Sequence, residues 1–126
     1  MNQPTNLPPE VEGDLIVIVT FDVEEGKQQQ VVDIIAPRIV EWVAKKPGYI
    51  SSVFQRSLDG TRVINYSRWA SADAFAGFAT DPRSAELVEI ARSLGSNGLE
   101  TRFFQVSAVI GEPTREIPLP ADAFRG

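Results

Sequence analysis

The segment Leu15-Ile-Val-Ile-Val-Thr-Phe21 is apolar on both of the faces that a strand would present. Side chains alternate along an extended chain, so Leu15, Val17, Val19 and Phe21 share one face and Ile16, Ile18 and Thr20 the other. A strand in an antiparallel sheet with one wetted face alternates apolar with polar residues. This strand, read over Asp14 to Val23, does not. Helices of the same chain can cover one of its faces. The chain has 126 residues, enough for one core and too few for two, so little is left to cover the second face. A second copy of the sheet is the economical cover, and a homodimer through the open sheet face is expected.

The remaining elements follow from periodicity and punctuation. Glu24-Glu25-Gly26 closes the first strand. From Lys27 to Lys46 the residues Val31, Ile35, Ile39 and Trp42/Val43 recur at helical spacing. Pro37 removes a hydrogen bond inside that run and predicts a kink near Asp33–Pro37, or two helical pieces. Lys45 and Lys46 suit the negative end of the helix dipole, and Pro47-Gly48 stops the helix. Tyr49 to Ser57 reads as a second strand, with Ile50, Ser52 and Phe54 on one face and Tyr49, Ser51, Val53 and Gln55 on the other. Leu58-Asp59-Gly60 turns the chain into a third strand, Arg62–Trp69. Ser71 caps a helix whose inward residues are read as Ala72, Phe75, Ala76 and Ala79. Asp81-Pro82 breaks it and starts another that runs to about Leu94, with Leu87, Ile90, Ala91 and Leu94 inward. Gly95-Ser-Asn-Gly98 reads as a flexible loop before a last strand, Leu99 to Ile110.

The order β-α-β-β-α-β describes an α+β, ferredoxin-like unit: an antiparallel sheet with the helices on one face. It occupies residues 14–110, between a flexible N-terminal arm at 1–13 and a C-terminal tail at 111–126.

Composition removes whole classes of chemistry. There is no cysteine, so disulfides, thiolate metal sites and thiol nucleophiles are absent. There is no histidine either, which excludes histidine-based triads, histidine metal sites and an axial histidine on haem. A net charge of −5 argues against a nucleic-acid partner. The first residues lack the basic-then-apolar pattern of a signal peptide, and no apolar run approaches the roughly 20 residues of a membrane span. The expectation is a cytoplasmic protein with no metal, no nucleic acid and no membrane among its partners.

Arg62–Trp69 carries the candidate site. Val63, Asn65, Ser67 and Trp69 fall on one face of that strand. A strand that only served the core would carry Val or Ile at 65, 67 and 69. A side-chain amide such as that of Asn65, set in an apolar pocket, stabilises an oxyanion without a titratable base. Its structural alternative is to satisfy a backbone group. Trp69 can stack on a flat polycycle or donate its N–H, or simply fill the core at a strand end. Ser67 adds a hydroxyl to the same face. Phe54, Phe75 and Trp42 are candidates for the lining of a flat aromatic pocket, although each also reads as core. Arg92 reads as solvated, and no pair of acidic groups has an acid/base arrangement.

Three motifs in order carry a family resemblance: Lys46-Pro-Gly-Tyr-Ile50, Arg56-Ser-Leu-Asp-Gly60 and Trp69-Ala-Ser-Ala-Asp-Ala-Phe75. Together they resemble the antibiotic biosynthesis monooxygenase family over roughly residues 14–110. The resemblance implies a dimeric α/β barrel. It also implies similarity to cofactor-independent oxygenases that turn anthrone-type polyketide intermediates into quinones with O₂. Those enzymes carry an Asn four residues before a strand-ending Trp, and Asn65 and Trp69 match. Some also have an Asn in the first strand, where this chain reads Val19-Thr20, and some a Tyr at the position of Phe75. Relatives that degrade haem use a histidine this chain lacks. The implied function is a cofactor-independent monooxygenase, with Asn65 and Trp69 catalytic, Ser67, Phe75, Phe54 and Trp42 binding a small aromatic substrate, and no cofactor. A non-oxidative polyketide cyclase and a non-catalytic ligand-binding protein remain as alternatives.

Overall fold

A computed structural model describes residues 13–111 of the chain. The arms expected at 1–13 and 111–126 lie almost wholly outside the described residues. Four strands and three helices follow in the order β1 (Leu15–Asp22), α1 (Gln28–Glu41), β2 (Tyr49–Arg56), β3 (Arg62–Trp69), α2 (Ala72–Ala79), α3 (Pro82–Leu94) and β4 (Gly98–Gln105). The strands form one antiparallel sheet in the order β2-β3-β1-β4. The sheet is open rather than a closed barrel within one chain. The architecture is the ferredoxin-like α+β fold. Among the described residues no helix is long and apolar enough to cross a membrane.

β1 is central and pairs along its whole length on both edges. Leu15 stands opposite Trp69 on one side and Gln105 on the other, and Asp22 opposite Arg62 and Gly98. Val17, Phe21 and, on β3, Val63 and Trp69 point at the helices and form the buried core with Val31, Ile35 and Ile39 of α1. β4 ends at Gln105, short of the expected Ile110. Its partner β1 begins at Leu15, so later residues have no strand to pair with.

Three local readings are corrected. β2 contains a bulge between Tyr49 and Ser51, so Tyr49 faces Trp69 and Ser52 faces Ser67. The extra residue moves Tyr49 onto the face of Ser52 and Phe54, opposite to simple alternation. α1 runs without interruption through Pro37, which is exposed, so the carbonyl that it leaves unpaired can be solvated. Arg38 Nη1 donates to the adjacent carbonyl of Ile34 at 2.6 Å. The helix breaks instead at Trp42 (φ −142°), before a 3₁₀ turn at Val43–Lys45. In α2 the inward residues are Ala74, Phe75 and Phe78, while Ala72, Ala76 and Ala79 are exposed. Two large rings set the helix rotation, and alanines on the other side cost little.

Ser71 Oγ accepts from Ala74 N–H and caps α2. Asp81 caps α3 and also binds Lys46 at 2.7 Å and Arg83 at 2.8 Å. Hydrogen bonds from Arg83 and then Lys46 hold its carboxyl well below the usual carboxylate range. The bridge to Lys46 fastens the turn before β2 to the start of α3. In that turn Gly48 has φ +84°, and a Cβ there would overlap that of Ala74 on α2. Gly48→Ala should lower stability by about 1–3 kcal/mol, read as a shift in the urea midpoint at unchanged slope.

In the β2–β3 turn Asp59 accepts hydrogen bonds from Thr61 Oγ1 at 2.7 Å, Ser57 Oγ at 2.8 Å and Thr61 N–H at 3.0 Å. These lower its pKa from 3.8 to about 2. A folded value below the unfolded one adds stability that is present above the unfolded pKa and lost as pH falls through the folded one. Asp59→Asn should therefore be less stable than the natural chain near neutrality, with the difference in thermal midpoint closing between pH 3.8 and about 2.

Candidate functional site

Between the sheet and the helices lies a cavity of about 620 Å³, within the roughly 300–1,000 Å³ that encloses a small organic ligand. Asn65, Ser67 and Trp69 of β3 form part of its floor beside Val17, Val19 and Phe21 of β1. Tyr49 and Ser52 enter from β2 because of the bulge. Phe75 and Phe78 of α2 wall one side. Ser84, Leu87, Val88, Ala91 and Arg92 of α3 wall another, spaced as a single helical stripe.

Asn65 carries the unusual chemistry. Its Oδ1 is buried and has no hydrogen-bond partner among the described residues. An unpaired buried acceptor costs about 1–3 kcal/mol, so a turn of the amide that brings it to a ligand in the cavity recovers part of that cost. A half-turn of the amide exchanges Oδ1 for Nδ2, so the same side chain can accept from a ligand hydroxyl or donate to a ligand anion. Ser67 is 7% exposed, and its Oγ donates to the Val17 carbonyl at 3.2 Å. That bond ties β3 to β1 and occupies its proton.

Trp69 is 2% exposed. Tyr49 and Phe75 meet its ring edge-on at 5.3 and 5.5 Å, and Phe78 lies tilted at 5.9 Å. Phe75 further contacts Phe103 at 5.4 Å. The indole thus belongs both to the core and to the cavity wall. Phe54 packs on the core opposite Asn65 in the ladder but does not line the cavity. Trp42 lies elsewhere. It stacks on Phe78 at 5.5 Å and faces an outer groove between α1 and α3, with the Arg83 guanidinium 4.3 Å above its ring. The helix break at Trp42 turns the indole outward. The structure therefore brings Asn65, Ser67, Trp69 and Phe75 together and leaves Phe54 and Trp42 out.

Six polar residues of the wall escape the sequence reading: Tyr49, Ser52, Ser84, Arg92, Ser96 and Thr101. Tyr49 Oη donates to Ser52 Oγ at 2.7 Å, a pair hidden by the bulge. Burial pushes the Tyr49 hydroxyl pKa up, against a smaller lowering by Ser52, so it stays a neutral donor. Arg92 is the one charged side chain on the wall formed by described residues, exposed at the rim. Its place one turn after Val88 was readable from the α3 stripe. The wall contains no carboxylate or lysine among the described residues. No group of three or more Asp or Glu side chains there is placed to hold a metal ion.

The sequence profile of the antibiotic biosynthesis monooxygenase family matches residues 14–90. The chain belongs to that family. Tetracenomycin-F1 monooxygenase of Streptomyces glaucescens is 32% identical over 82 residues, covering 64% of this chain and 73% of that relative. The solved monooxygenase from the gene ActVA-Orf6 of Streptomyces coelicolor, in complex with nanaomycin D, superposes with a TM-score of 0.72 at 36% identity. That match covers 79% of this chain and 91% of the other. SnoaB, a cofactor-independent oxygenase from Streptomyces nogalater, shares the fold with a TM-score of 0.68 at 18% identity, over 79% and 99% of the two chains. Family membership makes the chain a monooxygenase by class.

Replacing Trp69 with Ala should cost about 3–5 kcal/mol, because a buried indole within an aromatic cluster is removed. Equilibrium urea unfolding reads the loss. A change below about 1 kcal/mol would assign Trp69 to the cavity alone.

Proposed function

We propose that this protein is a cofactor-independent monooxygenase that oxidises an anthrone-type polycyclic aromatic with O₂ to a quinone. The observation that carries the proposal is the half-buried amide of Asn65, whose buried Oδ1 has no partner among the described residues, on the wall of an otherwise largely apolar cavity of ligand size. Two relatives above 30% identity are monooxygenases, one named for tetracenomycin F1 and one holding nanaomycin D. These agree with a flat polycyclic substrate here.

The chemistry needs little from the protein because the substrate is its own reductant. An anthrone loses a proton to solvent, and its negative charge gathers on the ring oxygen. The Asn65 amide, with Nδ2 turned inward, donates to that oxyanion in a medium of low dielectric, where such a bond is worth more than in water. The anion passes one electron to O₂, and the radical pair combines at the activated carbon to give a hydroperoxide. Loss of water then leaves the quinone carbonyl. Val17, Val19, Phe75 and Leu87 keep water away from the radical pair, and Trp69, packed among Tyr49, Phe75 and Phe78, stiffens the wall behind them.

The sheet face away from the helices presents Ile18, Ile64, Tyr66 and Phe104, the last 48% exposed. We propose that two chains pair through this face. Ile64→Glu should shift the mass in analytical ultracentrifugation from dimer to monomer. A natural chain that sediments as a monomer at micromolar concentration would refute the pairing.

Purified protein free of flavin, metal and nicotinamide should consume O₂ with an anthrone and yield the quinone. Asn65→Ala should reduce kcat about 10²- to 10³-fold with the fold intact by circular dichroism. Full activity of that variant would remove Asn65 from the mechanism. A product that has lost water and gained no oxygen would favour the cyclase.

A further inference from the structure

The bulge in β2 places Tyr49 and Ser52 on the cavity wall, where Tyr49 Oη donates to Ser52 Oγ at 2.7 Å. Neither hydroxyl has another hydrogen bond among the described residues, and both are half-buried. Ser52 accepts from Tyr49 and keeps its own proton free to donate. Tyr49 is held in turn by its ring, which packs edge-on against Trp69 at 5.3 Å. A donor polarised by a second hydroxyl is a stronger donor than an isolated serine. An apolar ligand filling the cavity would strand the free Ser52 proton, so a ligand that brings an oxygen to it is favoured.

Ser52 is the ladder partner of Ser67, two residues along β3 from Asn65. It therefore stands one diagonal step from Asn65 on the same face, roughly 7–8 Å between backbones. That spacing suits oxygens on opposite sides of one six-membered ring, each reached by its own side chain.

We propose that Ser52, oriented by Tyr49, binds the oxygen that forms across the ring from the one held by Asn65. Resting on the oxygenase reading for its chemistry, this assigns Ser52 to the hydroperoxide and the new quinone carbonyl. Tyr49 is a positioning residue. In the dehydration the hydroperoxide carbon loses its proton to water, and the C–H electron pair becomes the second bond of the carbonyl. The O–O bond breaks, and the distal oxygen departs as hydroxide while accepting a hydrogen bond from Ser52. Solvent protonates it to water. Neither Ser52 nor Tyr49 changes its own protonation. The ligand class that fits is a tricyclic or larger aromatic with two oxygens facing each other across one ring.

Binding of two unreactive probes tests the assignment. Anthraquinone has oxygens on both sides of its central ring, whereas fluorenone has one carbonyl and nothing across from it. The natural chain should prefer anthraquinone in tryptophan-fluorescence titrations. Ser52→Ala should cut the ratio of the two affinities by about three- to tenfold, the range expected for one neutral hydrogen bond. Tyr49→Phe keeps the ring on Trp69 and should cut the ratio similarly. The double variant should be no worse than Ser52→Ala alone, because Tyr49 acts only through Ser52. An unchanged ratio, a parallel fall in both affinities, or additive effects of the two substitutions would overturn the proposal. Neither probe consumes O₂, so a protein with this preference and no oxygen uptake on an anthrone would uphold the pair and fault the oxygenase reading.

Discussion

Everything in this structure hangs on the pairing of β1 along both edges. Its ladders to β3 and β4 run from Leu15 to Asp22, so its backbone groups find partners in a part of the molecule that excludes water. The same pairing sets where side chains go. It points Val17 and Phe21 at the helices, aligns Asn65 with Val19, and leaves Ile18 between Tyr66 and Arg102 on the other face. A slip of one residue would exchange the faces of the whole strand and carry the cavity floor to the outside. The apolar character of both faces does not by itself prevent such a slip. Ser67, bonded to the Val17 carbonyl, and the buried ion pair of Asp14 with Arg68 at 3.0 Å pin the register.

The fold was legible in the sequence because strands and helices of this chain differ strongly in period and are separated by strong stop signals. Pro47-Gly48, Asp59-Gly60 and Asp81-Pro82 all fall where elements change. What escaped was phase. The bulge after Tyr49 has no residue signature, so alternation assigned that tyrosine to the wrong face. Pro37 looked like a helix breaker, yet on an exposed face it does not interrupt the helix, and the break falls at Trp42. Asn65, Ser67 and Trp69 were legible as a wall since an unbulged strand holds strict alternation. Trp42 and Phe54 were aromatic residues whose place depended on a helix end and a sheet edge, and neither is written in local spacing.

The site is notable for what its polar groups are. They are an amide and a few hydroxyls, with one guanidinium at the rim. None is a proton acceptor of useful strength near neutral pH. Such a wall cannot drive a reaction that needs strong general-base catalysis. It suits a substrate acidic and reducing enough to begin its own oxidation, which is why the largely apolar lining and the amide matter more here than any titratable group. The shape of the wall then decides which molecule is held, and its few donors decide how it lies.

α1 buries Val31, Ile35 and Ile39, whereas α2 has no fully buried residue and α3 only Ser84. The two latter helices face a void where a core would otherwise be, so part of the apolar area that fastens α1 to the sheet is missing beneath them. Lifting them away exposes less surface than unfolding the sheet and requires correspondingly less free energy. The hollow that holds a ligand is thus also a built-in weakness of its own roof. The ionic clasp of Lys46, Asp81 and Arg83 sits at the joint between α2 and α3. That clasp therefore ties the roof to the turn before β2 just where buried apolar contact is least.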